Sequence, residues 1–353
     1  PEPIVIGEDV FPPTQNIDDD GLTSFDPEKD GVDFWESLEL MRVGVSDAQI
    51  VGPQDYGEVF VVSKNATNNE FHKQGGILIA EDDYNPERIT VTTGEGVVAK
   101  AGDTFASMPV GVLGYGFGNY QIWTNENELP AIVDGGTQPE QTWIENAEDK
   151  LTVAAYNVEN FSADSSHTSN EKAARIGESF VNDLNSPDII TMVEVQDSDG
   201  PIASGNSDAT ASYERLIAAI EAAGGPTYAW TDIAPEYNKD GGQPGGNIRV
   251  GYLYNPERVT LSEGVKGTAT QDTEWVGGEL SLNPGRILPF DMPNTRKPVA
   301  AQFEFQGEQV VVIGAHLNSK GGDQGLFGQN QPPFLGSFEE RIELATAINE
   351  FIQ

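Results

Sequence analysis

The chain has 353 residues, no cysteine, three histidines, and 57 acidic against 19 basic side chains, for a formal charge of −38. Zero cysteine excludes disulfides, thiolate metal sites and a cysteine nucleophile, and so few imidazoles make any metal an oxygen-ligated hard ion. So much negative charge excludes bulk electrostatic attraction to nucleic acid or anionic lipid. It suits a salty or extracellular medium, where screening hides the charge, and that reading is compatible with carboxylates that collect divalent cations.

The length predicts two domains. No apolar run approaches the ~18 residues of a membrane span; the best, at 310–314, is strand-sized. The chain opens on Pro1 without a signal-like segment, and is expected to be a processed or excised piece of something longer. Residues 1–146 read as all-β, with strands at 41–51, 58–63, 76–80, 88–92 and 106–124, the last broken by a Gly-rich bend. Turn clusters at 52–53, 68–69, 82–86 and 94–96 separate them. Without a helix in view, this half is expected to form a small barrel or sandwich. A polar stretch at 134–150 leads into the second domain, 147–353.

There the texture changes. An apolar strand at 151–156 is followed by a loop rich in Asn, Ser and Asp. A helix over 171–184 carries Ala174, Ile176, Phe180 and Leu184 at helical spacing. A strand at 188–195, a helix at 209–223, strands at 249–254, 298–305 and 309–317, and a helix at 338–351 complete the order, which is α/β. Asn-Pro-Glu-Arg recurs at 85–88 and 255–258 as reused turn chemistry.

Four places put polar groups at strand ends, where α/β sheets keep their sites. Asn157 follows the first strand. Glu194 interrupts the apolar run Ile-Ile-Thr-Met-Val-Glu-Val, and an unpaired buried carboxylate is costly. His316 closes a strand, with Asn318 and Lys320 just beyond, and Arg296 stands immediately before one. Singly, each has a structural reading: a turn-forming Asn, a Glu paired with Arg, a satisfied His, a solvated Arg. Together they specify an oxygen-ligand metal plus a titrating histidine, and no more. Near the N-terminus, Asn16, Asp18, Asp20 and Gly21 have the 1, 3, 5, 6 spacing of a calcium loop, repeated by Asp26, Glu28, Asp30 and Gly31. Position 12 is Pro27 or Ser37, so the closing glutamate is missing from both; solvated acidic turns are the expectation and Ca²⁺ the alternative.

The blocks Leu-Thr-Val-Ala-Ala-Tyr-Asn-Val-Glu-Asn-Phe (151–161), Pro-Asp-Ile-Ile-Thr-Met-Val-Glu-Val-Gln-Asp (187–197) and Gly-Gly-Asn-Ile-Arg-Val-Gly-Tyr-Leu-Tyr (245–254) resemble the endonuclease/exonuclease/phosphatase superfamily, the DNase-I-like fold. His-Leu-Asn-Ser-Lys-Gly-Gly-Asp (316–323), Leu-Phe-Gly-Gln-Asn-Gln-Pro-Pro (326–333) and Glu340-Arg341 resemble its bacterial secreted extracellular nuclease group. In the first half, Asp-Gly-Val-Asp-Phe-Trp-Glu-Ser-Leu-Glu (30–39) and Val-Leu-Gly-Tyr-Gly-Phe-Gly-Asn-Tyr (112–120) are similar to the OB-like region that precedes such nucleases. The resemblance implies an OB-like all-β domain followed by the first part of a DNase-I-like four-layer α/β sandwich.

By position, it implies that Glu194 holds Mg²⁺ or Mn²⁺, that Asn157 orients phosphate or metal beside it, that Arg296 contacts phosphate, and that His316 protonates the departing oxygen. Asn318, Lys320 and Arg249 are the implied substrate-binding residues, in a cleft expected to gather Lys172, Arg175, Arg249, Arg296, Lys297 and Lys320. The family's later motifs, Gly-Asp-x-Asn and Ser-Asp-His, are absent. The chain is therefore expected to be inactive alone and to leave a core edge uncovered. The implied activity is that of a secreted, metal-dependent endonuclease with nucleic acid as substrate. A phosphatase or phosphodiesterase acting on small phosphate esters or lipid headgroups, or a non-catalytic binding module, is the alternative.

Overall fold

The computed structural model describes residues 2–68, 70–80, 83–125, 127–287 and 294–353. Asn69 and Asp82, which belong to two expected turns, lie outside them. The chain is mixed α/β, as its element order predicts, and divides into two units: Pro1–Pro139 with Lys320–Gly336, and Glu140–Ser319 with Ser337–Gln353. The boundary thus falls before the expected 146/147, and 17 residues from late in the chain belong to the first unit.

The first unit holds β1 (Ile4–Ile6), α1 (Gly31–Glu36), β2 (Arg42–Val45), β3 (Ala48–Ile50), β4 (Glu58–Ser63), β5 (Ile89–Thr92), β6 (Thr104–Phe105), β7 (Val110–Gly116), β8 (Asn119–Trp123) and β9 (Ile132–Val133). They form one sheet in the order β1-β2-β7-β8-β5-β4-β3-β6-β9. The expected strand 41–51 is two strands broken at Asp47 (φ 42°), and 106–124 is the hairpin β7–β8, turned at Phe117 and Gly118. Two expectations need correction. Residues 76–80 make only a single-residue bridge, Ala80 to Asp83, and leave Leu78 and Ile79 exposed. Helix α1 was not expected, because six residues are too few to display a 3.6-residue period. It is held by burial of Phe34 and Trp35, whose indole Nε1 donates to Pro86 O at 2.8 Å.

Phe327, from the late segment, is buried in the same core, its ring edge-on to Tyr120 and its carbonyl accepting from Tyr115 Oη at 2.9 Å. The acidic N-terminal loop spends its carboxylates on its own backbone. Asp18 caps Gly21 and Leu22, Asp20 caps Thr23, Asp30 accepts from Asp19 N and Asp33 from Asp26 N. Asp30 is buried, and that burial together with Asp19 pushes its carboxyl up to about 6.

In the second unit, β10 (Val153–Phe161), α2 (Asn170–Glu178), β11 (Ile189–Val195), α3 (Thr210–Ala222), β12 (Ala229–Asp232) and β13 (Arg249–Tyr254) come first. After α2 a π-helical turn runs over Ser179–Asp183. The short strands β14 (Thr260–Leu261), β15 (Trp275–Val276), β16 (Glu279–Leu280) and β17 (Gly285–Arg286) precede β18 (Val299–Phe305), β19 (Glu308–Gly314) and α4 (Phe338–Ile352). One sheet runs β10-β11-β13-β12, with β10 and β11 parallel; a second runs β14-β18-β17, with β19 antiparallel to β18.

Alternation along β11 builds the layers. Ile190 and Met192 face α2 and α3, joining Phe180, Tyr213 and Leu216. Ile189 and Val193 face the second sheet, joining Tyr252, Val299 and Phe303. The outer face of the second sheet is thinly covered. Among the described residues of α4 only Leu344 is buried; Phe338 and Ile342 stay exposed, and Ile352 is exposed at a groove of about 820 Å³ that Trp275, Val311, Ile313 and Phe351 also line.

Candidate functional site

The site is made by two bulges facing each other. On β10 the register jumps from Asn157 (opposite Val193) to Phe161 (opposite Val195), and on β11 the pairing with β13 skips Glu194. Strict alternation would turn Glu194 toward the helices and Val195 away from them. The inserted residue reverses this: Val195 and Phe161 are buried in the helix-side core, and Glu194 is freed. It sits at φ 66°, with Glu159 at 51° and Asn160 at 56°, conformations that cost a non-glycine residue about 1 kcal/mol or more.

The carboxylate of Glu194 is tightly held. Oε1 accepts from Asn157 Nδ2 at 2.9 Å and Oε2 from Asn160 N at 3.1 Å. The other end of the Asn157 amide accepts from Glu159 N at 2.7 Å, which fixes its orientation. His316 Nε2 lies 3.5 Å from Glu194 Oε1, the two side chains being 18% and 19% exposed. Burial, then the positive Arg296, lowers the His316 pKa, and Glu194 opposes them. Its Nδ1 is buried without a partner. Arg296 is itself buried and donates from Nη2 to Leu317 O at 3.0 Å, with Nε unpartnered. Desolvation lowers its pKa, offset by Glu194 and Asp240.

The structure therefore brings Asn157, Glu194, His316 and Arg296 into one cluster, and treats the three other expected residues differently. Arg249 is 2% exposed and committed to Asp232 Oδ2 at 3.1 Å and Asn247 O at 3.1 Å. A guanidinium so enclosed is a structural ion pair, which corrects its expected substrate-binding role. Lys320 is exposed and belongs to the first unit. Asn318 donates one amide hydrogen to Glu340 Oε2, and its Oδ1 is buried without a donor, so this side chain is engaged with α4.

The six expected cationic residues do not all converge. Lys172 reaches Glu159 O at 2.5 Å and, with Arg175, lines a pocket of about 250 Å³ bounded by Tyr156, Asn157 and Ser179. Lys297 turns to Thr295 O and Asp240.

A divalent ion would find one carboxylate here. Asn157 turns its nitrogen to Glu194 and its oxygen to Glu159 N, which leaves one lone pair of that oxygen beside the carboxylate. No group of three or more Asp, Glu, His or Cys side chains suited to a metal occurs among the described residues. Glu194 alone still fits Mg²⁺, which keeps several waters and needs one or two carboxylates beside phosphate oxygens.

Sequence reasoning missed the Asn160 amide and the carboxyl of Asp197. Asp197 is fully buried, its Oδ2 accepting from Asn247 Nδ2 at 2.6 Å and its Oδ1 unpartnered. Burial, reinforced by nearby Asp199 and opposed by Asn247 and Arg249, pushes its pKa up to about 7. The Asn-Val-Glu-Asn stretch, with Asn suited to the left-handed region, was the available signal for the bulge.

Residues 5–134 match a family described as a domain of unknown function (DUF8508). No curated protein matches the chain. Solved structures with partial similarity include humanized D. rerio TDP2 (16% identity, TM-score 0.31, 57% of this chain and 58% of that one). A β-hairpin deletion mutant of beta toxin from Staphylococcus aureus gives 16%, 0.33, 57% and 61%. An endonuclease/exonuclease/phosphatase family protein from Leptotrichia buccalis gives 12%, 0.30, 48% and 55%. The chain thus spans between about half and three-fifths of these proteins' length.

Proposed function

We propose that the second unit is a metal-dependent phosphodiester hydrolase acting on nucleic acid, with the Glu194–His316 pair at its reacting centre. The observation that carries this reading is the double bulge, which holds Glu194 in a left-handed conformation and brings its carboxylate within 3.5 Å of His316. Strain of that kind persists where the surroundings over-determine it, and it concentrates at functional sites. The motif blocks at 151–161, 187–197 and 316–323 point the same way.

A Mg²⁺ or Mn²⁺ ion bound at Glu194 would supply positive charge against a phosphoryl oxygen. The chain's own residues do the rest. Asn157 and Asn160 N fix the carboxylate. Arg296, buried and carrying an unpartnered Nε–H, offers a preorganised donor to charge developing on phosphorus-bound oxygen. Water attacks phosphorus, the ester P–O bond breaks, and the departing oxygen takes up a proton that His316 handles. Burial and the nearby Arg296 favour the neutral ring, which can accept a proton before it delivers one. Extracellular placement accords with the missing cysteines and the −38 charge.

The test is substrate competition. The full-length protein is given supercoiled plasmid, single-stranded RNA, a small aryl phosphodiester and a phospholipid, each with Mg²⁺ or Mn²⁺. Cleavage of plasmid or RNA, lost in Glu194→Gln, is expected. Turnover of the small ester or the lipid alone would move the reading to those substrates.

A further inference from the structure

The ladder that carries His316 stops short of it. The last β18–β19 pair is Val299 with Gly314, so beyond it the backbone must find other partners, and unpaired carbonyls in a half-buried segment are costly. Two guanidinium groups meet that need on consecutive carbonyls. Arg296 Nη2 donates to Leu317 O at 3.0 Å, and Arg341 Nη1, from the first turn of α4, donates to Asn318 O at 3.2 Å. The residue before Arg341 adds a third restraint, since Asn318 Nδ2 donates to Glu340 Oε2. Adjacent side chains of one helical turn thus grip the main chain and the side chain of the same residue, two positions after His316.

We propose that Glu340 and Arg341 are positioning residues for His316: by clamping Asn318 they fix the strand exit and hold the imidazole Nε2 toward Glu194. An arginine fork aimed at a carbonyl restricts the backbone in a way that a water molecule in its place does not. The Glu340 contact also sets which end of the Asn318 amide turns away from α4, leaving Oδ1 as a buried acceptor. Neither residue touches Glu194 or His316 directly, so their effect passes through the chain. The functional meaning rests on the reading of Glu194 and His316 as the reacting centre, but the geometric claim does not.

The chain contains only His72, His167 and His316, which makes the imidazole nitrogen spectrum a direct reporter. With Nε2 facing a carboxylate and Nδ1 unpartnered, His316 should show a single Nε2–H tautomer at a fixed, mildly alkaline pH. His167, bonded through Nδ1 to Asp164 Oδ2 at 3.1 Å, and His72, in the first unit, serve as controls for intact folding. The expected result is loss of the single-tautomer pattern at His316 alone in Arg341→Ala, and its retention in Arg341→Lys, which keeps one donor. An unchanged His316 pattern in folded Arg341→Ala overturns the proposal. Should Arg341→Ala disturb all three histidines, Glu340→Ala decides by the same criterion: a change confined to His316 upholds the clamp, and no change refutes it. None of these readouts requires hydrolysis, so failure of the hydrolase reading is seen separately, as absence of cleavage.

Discussion

Glu194 Oε1 and His316 Nε2 lie 3.5 Å apart although their strands belong to different sheets. Neither strand would deliver its residue there by regular pairing. Glu194 arrives because β11 carries one residue too many, and His316 because its chain runs past the end of β19. The pair is thus a product of two irregularities, each of which costs stability and is compensated by hydrogen bonds to Asn157, Asn160 and Arg296.

The backbone at Glu194 predicts an unusual ranking of variants. At φ 66° a glycine is at ease and an alanine is not, so Glu194→Gly should be more stable than Glu194→Ala by about 1 kcal/mol. Chemical denaturation of the two variants measures this. The opposite order would mean that the left-handed conformation is absent in solution.

Asp197 predicts a pH dependence. Its folded-state pKa of about 7 lies above the ordinary carboxyl value of 3.8, so between those values the native state holds a proton that the unfolded chain has released. Its contribution to stability is fully present below pH 3.8 and is lost as pH rises toward 7. Asp197→Asn mimics the protonated form and should match the wild type near pH 4 while exceeding it at pH 8, by on the order of 1 to 3 kcal/mol. Unfolding curves at the two pH values test the sign.

Arg249 separates burial from substrate contact. Its ion pair with Asp232 is enclosed, with side chains 1% and 5% exposed, and removing the guanidinium leaves the buried Asp232 with only the half-exposed Lys266 at 3.2 Å. Arg249→Ala should destabilise the chain by about 2 to 3 kcal/mol, the retained Lys266 contact offsetting part of the loss. A stable Arg249→Ala whose only defect is weaker nucleic acid binding would restore the role expected from sequence.

Phe327 tests the division into units. It lies 3% exposed in the first unit's core although it follows the second unit's last strand. Phe327→Ala should cost about 3 to 5 kcal/mol, read as lost amide protection in β7 and β8 rather than in β10 and β11. Loss confined to β10 and β11 would contradict the assignment.

Long periodic elements and strand-end polar residues were legible in the sequence. The strands at 188–195 and 249–254 and the helices at 209–223 and 338–351 appear within a residue or so of their expected bounds, because apolar period 2 or 3.6 persists over several turns of pattern. Asn157, Glu194, Arg296 and His316 stood out as polar groups against apolar runs. What failed was short or non-local. Helix α1 and strands such as β6 and β9 contain too few residues to show a period. The burial of Arg249 depends on Asp232, 17 positions away. The amide of Asn157 donates to Glu194, 37 positions away, and that of Asn318 to Glu340, 22 positions away, contacts that local sequence does not reveal.

The central claim is that the Glu194–His316 centre hydrolyses phosphodiesters, and nicking of supercoiled plasmid in Mn²⁺ tests it most directly. The assay takes the full-length protein and compares wild type, Glu194→Gln and His316→Ala at matched thermal stability. The account predicts nicking by the wild type and a loss of at least about a hundredfold in each variant, on the scale of removing a general acid–base group. Equal nicking by all three proteins would contradict it.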